Sequence, residues 1–402
     1  MSEKSIVYWA PPNELISALT PSTAIMKTNN LVKTRLLLDK ILDNINSGDK
    51  VGIKVHVGEA YNTHYLRHDY IFEVVNAVKA KGGIPTLIET QGLGMEVRHR
   101  TISENYTITF GSRKTATEHY NTARLHGYTE SIIGAPLKFI DGEKGFDAKI
   151  SEIDGIHLKK IVIAAGLFEF DKIIIVSHFK GHGLTCFGGA MKQLGIGCLA
   201  KLGKFRAHFN ENLSINSKKC NISKCDQECI KACPVNAIKI EGESAIIDPS
   251  ICVGCTGCLE SCPVKRAINQ SFNLDFENFT ERVVDNAAGV LSSYNRENIR
   301  YINFAMDVTS QCDCVSSPNM SIIPDLGIFA SSDPVAIDKA CVDAEINAPG
   351  LPILNEKGQW TQPVASGIEK FHAMNNSVNT SYFFNAAVKS KLGNIEYELV
   401  KI

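Results

Sequence analysis

Apolar positions in the first half of the chain alternate between strand-like and helix-like spacing. Val51-Gly-Ile-Lys-Val-His-Val57 is apolar and β-branched enough to predict a strand. From Tyr70 to Lys81, Ile71, Val74, Val75 and Val78 recur at helical spacing and share one face. Gly82-Gly83 ends that helix, and Ile84-Pro-Thr-Leu-Ile-Glu89 reads as the next strand. Lys172-Ile-Ile-Ile-Val-Ser177 is a continuous apolar run, as expected of a parallel strand covered on both faces. Helical spacing returns from Phe279 to Leu291, followed by a strand from Ile299 to Phe304. Asp333 and Pro334 suit the N-cap and first position of a further helix. The tail from Tyr382 to Ile402 reads as a final helix and strand. Strand and helix in alternation predict an α/β fold, a mostly parallel sheet with helices on both faces.

The stretch from Ser217 to Ser271 breaks this pattern, with few apolar runs and many Cys, Pro and Gly residues. It reads as an inserted module, so the expected organisation is a first part of the α/β domain at 1–216, the module at 217–271, and a second part at 272–402. Charge is nearly balanced, with 42 basic and 43 acidic residues, which predicts no nucleic-acid partner and no anionic membrane surface. No apolar run approaches the ~20 residues that span a bilayer, and the first residues lack the pattern of a secretory signal. None of the 13 cysteines precedes Cys186, and eight fall between Cys220 and Cys262. A disulfide framework spreads its cysteines over a small secreted domain, whereas a dense cluster in a large chain predicts metal ligation in a reducing, cytoplasmic setting.

The second cysteine run, Cys252-x-x-Cys255-x-x-Cys258-x-x-x-Cys262-Pro263, has the spacing of bacterial two-cluster ferredoxins. Three thiolates on a tight loop reach three corners of one cubane, and the fourth turns to the other cluster. Gly254 and Gly257 allow a close backbone with N–H groups aimed at sulfur. The first run, Cys220-x-x-x-x-Cys225-x-x-x-Cys229-x-x-x-Cys233-Pro234, is looser. Yet Cys229-Ile-Lys-Ala-Cys-Pro-Val-Asn-Ala-Ile238 repeats in Cys258-Leu-Glu-Ser-Cys-Pro-Val-Lys-Arg-Ala-Ile268, which predicts a paired, two-fold related ferredoxin-like α+β module. One [4Fe–4S] cluster is then expected on Cys220, Cys225, Cys229 and Cys262, the other on Cys252, Cys255, Cys258 and Cys233. The alternative is a pair of zinc sites; the Cys-Pro ends and the repeat favour iron–sulfur.

The flanks resemble the iron–sulfur centre proteins of domain-of-unknown-function family 362. The likeness rests on Ser177-His-Phe-Lys-Gly-His-Gly-Leu-Thr-Cys-Phe-Gly-Gly-Ala-Met-Lys-Gln-Leu-Gly-Ile-Gly197, Ile53-Lys-Val-His-Val-Gly-Glu59, Gly111-Ser-Arg113, Gly134-Ala-Pro136, Gln311-Cys-Asp-Cys314 and Ala330-Ser-Ser-Asp-Pro-Val-Ala-Ile-Asp338. These motifs run in the family's order from about Lys54 to Asp343. The chain departs from it at Gln193, where Asn is usual, and in its looser first cysteine run. The resemblance implies a fold and cofactors, and no particular reaction.

Outside the clusters, the loop from His178 to Gly189 follows the most apolar strand and precedes a helix expected near Gly189, where open α/β sheets bind ligands. Free N–H groups at the helix start would favour an anion. His178, Lys180, His182 and Lys192 are therefore candidate catalytic residues; the alternative is glycines that only pack the loop. Cys312-Asp-Cys314, if extended, directs both thiols to one side, to bind a metal or to pair in a redox reaction. Cys186, Cys198 and Cys341 read as structural. Arg113 is a candidate carboxylate or phosphate clamp, with His56 and Glu59 in the same cleft, whereas His119 and His126 suit a solvated helical face. Asp307, Asp325, Asp333 and Asp338 are accounted for by turns and caps.

Two clusters side by side form an electron relay. The expected function is an iron–sulfur oxidoreductase that passes single electrons to a substrate or further cofactor in a cleft of the α/β domain. One alternative is an electron carrier or accessory protein docking a redox enzyme; another is a metal-handling protein with structural clusters. The expected partner is accordingly a redox protein or a small molecule.

Overall fold

The computed structural model describes the 402-residue chain except residues 1–3, 14–27, 94–97, 111–112, 209–212, 234, 253–256, 265–266, 270–274, 317–319 and 356. Its centre is a sheet of eight strands: β1 (Ser5–Ala10), β2 (Lys50–Lys54), β3 (Ile84–Glu89), β4 (Leu137–Phe139), β5 (Lys172–His178), β6 (Ile299–Ala305), β7 (Gly327–Ser331) and β8 (Tyr397–Lys401). They lie in the order β8-β1-β7-β6-β5-β2-β3-β4. All neighbours pair in parallel except at β7, which is antiparallel to β1 and β6. The principal helices are α1 (Asn30–Ile41), α2 (His68–Ala80), α3 (Ala116–Leu125), α4 (Ala190–Gly195), α5 (Lys201–His208), α6 (Phe276–Ser293), α7 (Pro334–Asn347) and α8 (Ser381–Lys389).

The fold is α/β, with helices on both faces. The apolar run of β5 shows why. Ile173 and Ile175 enter one core with residues of α4, α6, α7 and α8. Ile174 and Val176 enter the other, with residues of α1 and α2. Period-two alternation thus buries both faces of one strand. The expected cap of α7 also forms, as the Asp333 carboxylate accepts the Val335 and Ala336 N–H groups at 2.8 and 3.1 Å.

Strand order determines where a site can sit. After β2 the chain moves outward to β3 and β4; after β5 it moves the opposite way, to β6. The adjacent strands β2 and β5 therefore flank a topological switch point, whose crevice opens at their carboxyl ends.

The cysteine-rich stretch leaves and rejoins the α/β fold at one place, where Ser214–Ile215 pairs antiparallel with Ile268–Asn269. Between them lie a hairpin, Ile238–Glu241 with Ser244–Ile247, and two short helices, Glu228–Lys231 and Gly257–Ser261, which pack together and carry the repeated motif. Among the described residues no helix is long and apolar enough to cross a membrane.

Candidate functional site

Residues following β2, β3, β5 and β6 meet at the crevice, and Asp313 ties them together. Its carboxylate lies 3.0 Å from Nδ1 of His178 through each oxygen, and accepts Lys180 Nζ at 3.0 Å. The other His178 nitrogen, Nε2, faces the Met306 carbonyl at 2.7 Å, so each ring nitrogen has an acceptor opposite it. The Asp313 carbonyl accepts the Glu59 N–H at 2.8 Å, which joins the β2 loop to the turn. Burial alone would raise the Asp313 carboxyl; His178 and Lys180 outweigh it and hold it down at about 2.

This grip positions the cysteine pair. Residues 312–315 form a hydrogen-bonded turn, with the Val315 N–H donating to the Cys312 carbonyl at 3.1 Å. The segment is therefore a turn and not extended, with the Asp313 side chain directed inward to His178 and Lys180. The sulfurs still share a side: both lie within 4.8 Å of each other and of one ring nitrogen of His182. Lys192 Nζ stands 3.8 Å from Cys312 Sγ, and the Cys314 N–H points at that sulfur from 3.5 Å. The hydrogen bond from the Cys314 thiol, with Lys192, Lys180 and His56, holds Cys312 well below the usual thiol range against the opposing effect of burial. The same bond, with burial, pushes Cys314 well above it. The pair thus favours one thiolate, Cys312, and one thiol, Cys314.

Neighbouring charges are matched. Lys54, fully buried, reaches Glu89 at 2.7 Å, and His56 Nδ1 lies 3.4 Å from the same carboxylate. Burial would raise Glu89, yet Lys54 and His56 hold it well below its ordinary value. Arg113 Nε pairs with Glu59 at 3.1 Å.

The structure brings His178, Lys180, His182 and Lys192 into one region with Cys312 and Cys314, and His56, Glu59 and Arg113 border it. It corrects three expectations. First, the start of α4 offers no open anion site: the Ala190 and Met191 N–H groups donate to the Asp338 carboxylate at 2.7 and 2.9 Å. Gly189 is required there, because a Cβ would collide with Asp338; at Gly188 a Cβ would meet only Lys192 Cδ at 3.6 Å and Lys180 Cε at 3.7 Å. Second, Arg113 is occupied by Glu59. Third, His119 and His126 are interior, with His119 Nδ1 3.1 Å from the Gln91 amide and His126 stacked on Tyr65 at 3.8 Å. Helical spacing alone does not tell a solvated face from one covered by a distant loop. Cys186, Cys198 and Cys341 are buried.

Sequence reasoning missed Asp313, Lys54 and Glu89. Available signals were an acid between two cysteines and a lysine inside an apolar strand.

The module lies against this region through α5. Phe205 of α5 and Leu93 of the loop after β3 pack with Ile238, Ala245, Cys258 and Ile268 of the module. Lys204, also on α5, donates to Thr90 Oγ1 at 2.6 Å and to the Gln91 carbonyl at 2.5 Å, just beyond Glu89. At the end of α5, burial and the nearby charge of Lys192 push His208 down to about 3. One helix therefore packs on the module core and hydrogen-bonds the loop after β3, beside Glu89.

Within the module, burial raises the Cys229 thiol, and Cys262, Cys220 and Cys225 add to the rise. These four sulfurs form one electrostatic group drawn from both runs. The Ala237 N–H points at Cys233 Sγ from 3.2 Å, and the Ala245 N–H at Cys220 Sγ from 3.4 Å, the kind of donor that stabilises cluster thiolates. Among the described residues no three of the module's sulfurs lie within 4.8 Å of one another. Thiolates ~2.3 Å from a tetrahedral zinc would stand about 3.8 Å apart, so the donor set fits a multi-iron cluster better than one zinc. Cys255 and Gly254 lie outside the described residues.

A family model described as Domain of unknown function (DUF362) matches residues 51–343. The chain belongs to this family. The match spans all four strand ends that build the site, and it spans the module. Short curated matches have the scale of the module. A tetrathionate reductase subunit of Archaeoglobus fulgidus is 42% identical over 60 residues, 14% of this chain and 28% of that protein. A ferredoxin of Alicyclobacillus acidocaldarius is 36% identical over 45 residues, 11% of this chain and 58% of its own length. Translation initiation factor RLI1 of Chaetomium thermophilum is 43% identical over 56 residues, 12% of this chain and 9% of that one. The chain thus spans less than two thirds of each of these relatives. Together with the cysteine pattern, these likenesses give the DUF362 chain an iron–sulfur, electron-transfer character. Among solved structures, the lactate racemase apoprotein from Thermoanaerobacterium thermosaccharolyticum overlaps with a TM-score of 0.37 and 11% identity, covering 84% of this chain and 56% of that one. An overlap at that score decides nothing.

Proposed function

We propose that this DUF362 protein is an iron–sulfur oxidoreductase of the cytoplasm, whose module feeds single electrons to the crevice at the ends of β2 and β5. The observation that carries the reading is the cysteine pair with His182 and Lys192 at the switch point, next to the helix that seats the module. Cys220, Cys225, Cys229 and Cys262 would hold one [4Fe–4S] cluster, and Cys252, Cys255, Cys258 and Cys233 the second. When bound, the clusters supply one-electron storage and transfer.

The protein's own groups do the rest. His178 and Lys180 hold Asp313 and so position the cysteine turn. Lys192 keeps positive charge beside Cys312. His182 closes the site from the β5 side, and His56, partly exposed, stands beside Glu89 at the edge of the crevice.

The test starts from anaerobically purified protein, expected to hold about eight iron and eight sulfide per chain and to show paramagnetic resonance from interacting reduced clusters. The photoreduced protein is then mixed with small-molecule acceptors, among them disulfides and quinones. Reoxidation that collapses in Lys192→Ala while iron content stays unchanged is the expected result. Zinc without sulfide would refute the cluster assignment.

One observation favours a carrier role as the second reading. Ile240, Ile246 and Ile251 are exposed on the module, three large apolar side chains of the kind a docked redox protein covers. Reoxidation only by another redox protein, unaffected by Lys192→Ala, would select it.

A further inference from the structure

We infer that Cys312 and Cys314 form a dithiol–disulfide couple, a two-electron centre built into the crevice. The inference deepens the oxidoreductase reading and rests on it only for the source of electrons.

The same residues satisfy a simple distance criterion for a metal, and their surroundings decide between the two chemistries. A metal needs a free lone pair from His182. Its Nδ1 already accepts the backbone N–H groups of Leu184 at 3.2 Å and Thr185 at 3.1 Å, so the proton of the neutral ring sits on Nε2. Neither nitrogen is left to ligate. The charge around the sulfurs is also wrong for a cation. Lys192 stands 3.8 Å from Cys312, Lys180 is close by, and the acid of the turn, Asp313, is spent on Lys180 and His178. A metal cation would meet two lysine ammoniums, and the acid nearest the sulfurs in sequence, Asp313, is already paired. An anionic sulfur, by contrast, finds an ammonium and the Cys314 N–H already aimed at it.

The turn makes disulfide closure feasible. Cys312 and Cys314 occupy the first and third positions of a hydrogen-bonded turn, which shortens their separation relative to an extended chain, and their sulfurs already lie within 4.8 Å. In the reductive direction two electrons enter the S–S bond and break it. Cys312 departs as a thiolate beside Lys192, and Cys314 takes up one proton from solvent. The reductant is a pair of one-electron iron–sulfur centres, each oxidised by one electron. Run backwards, the dithiol delivers two electrons to a substrate that one-electron centres alone would reduce through a radical. The substrate class implied is a two-electron acceptor, such as a disulfide, reached by thiolate attack from Cys312 with Cys314 resolving the mixed disulfide.

The experiment uses the whole protein and has two arms. In the first, the protein is equilibrated in dithiothreitol buffers of graded oxidation, acid-quenched, unfolded, alkylated with iodoacetamide and digested. The peptide holding residues 312–314 is expected to change from almost fully doubly alkylated to almost wholly unalkylated and two hydrogens lighter. Cys314→Ser should abolish the lighter form. Full alkylation across the whole series would overturn the proposal. So would a zinc or iron ion beyond the cluster iron that is lost on Cys312→Ser. In the second arm, the oxidised protein is photoreduced without thiols. Wild type should take up two electrons more per chain than Cys314→Ser. A disulfide that forms in the first arm but stays intact in the second leaves the couple standing and overturns the delivery of electrons from the module.

Discussion

The module and the strand-end crevice both gather cysteines, and they are held in opposite ways. Among the described residues the module's fully buried contribution to its apolar core is Ile238, Ala245, Cys258 and Ile268, with Ile222, Ile230, Ile247 and Leu259 half-buried against it, while Ile240 and Ile246 of its hairpin are exposed. So little buried apolar surface does not hold a compact fold without help, and ligation supplies the remainder. The crevice sits between two large cores on either face of the sheet. There the costly elements are charges: Lys54, Glu89, Lys180 and Asp313 are buried, and each is tolerated because a partner of opposite sign is within about a hydrogen bond. The module depends on what it binds, and the crevice depends on pairs the chain provides itself.

The sharpest way to break this contrast is to remove the metal. Stripping iron with a chelator under oxidising conditions should release the amides of residues 217–271 to exchange within seconds, while β5 and β6 stay protected for hours or longer. Replacing 217–271 by a short Gly/Ser linker should likewise leave a folded α/β domain, since the ends of the stretch meet at the pairing of Ser214–Ile215 with Ile268–Asn269. Equal loss of protection in both regions would refute the contrast.

On the crevice side, Asp313→Ala should cost roughly 3–5 kcal/mol in urea unfolding, because it strands the Lys180 ammonium in the interior, and iron content should not change. The pH dependence has a defined sign. The folded carboxyl, at about 2, lies below the unfolded value near ~3.9. Its contribution, on the order of 2–3 kcal/mol, is therefore complete above that unfolded value and is lost as pH falls toward the folded one. Comparing wild type with Asp313→Asn over this window should show the advantage of wild type shrinking. A constant gap would mean the carboxylate charge is not what holds the turn.

A smaller effect sharpens the module's side. Cys233→Ser should damage the cluster built on Cys252, and Cys262→Ser the one built on Cys220, read as selective loss of one paramagnetic signal. Damage confined to each mutated cysteine's own run would remove the crossed arrangement. The smallest contrast lies within α4's approach. Gly189→Ala should cost about 1–3 kcal/mol through collision with Asp338, and Gly188→Ala should stay within about 0.5 kcal/mol. Similar costs at both would mean the loop packs differently from the geometry described.

Much of this protein was determined by the sequence alone. The period of apolar residues at 71–78 and 173–176 specifies a helix face and a doubly buried strand, because burial follows local periodicity. The two Cys-Pro repeats specify an iron–sulfur, ferredoxin-like character, because thiolate spacing along the chain limits which sulfurs one cluster can gather. Only the tertiary structure decided that Asp313 grips His178 and Lys180, that the Cys312 turn faces His182 and Lys192, that the start of α4 is filled by Asp338, and that His119 and His126 are interior. Each of these joins residues far apart in the chain, and strand order alone sets their distance. Charge pairing and burial are properties of that distance, so no local pattern carries them.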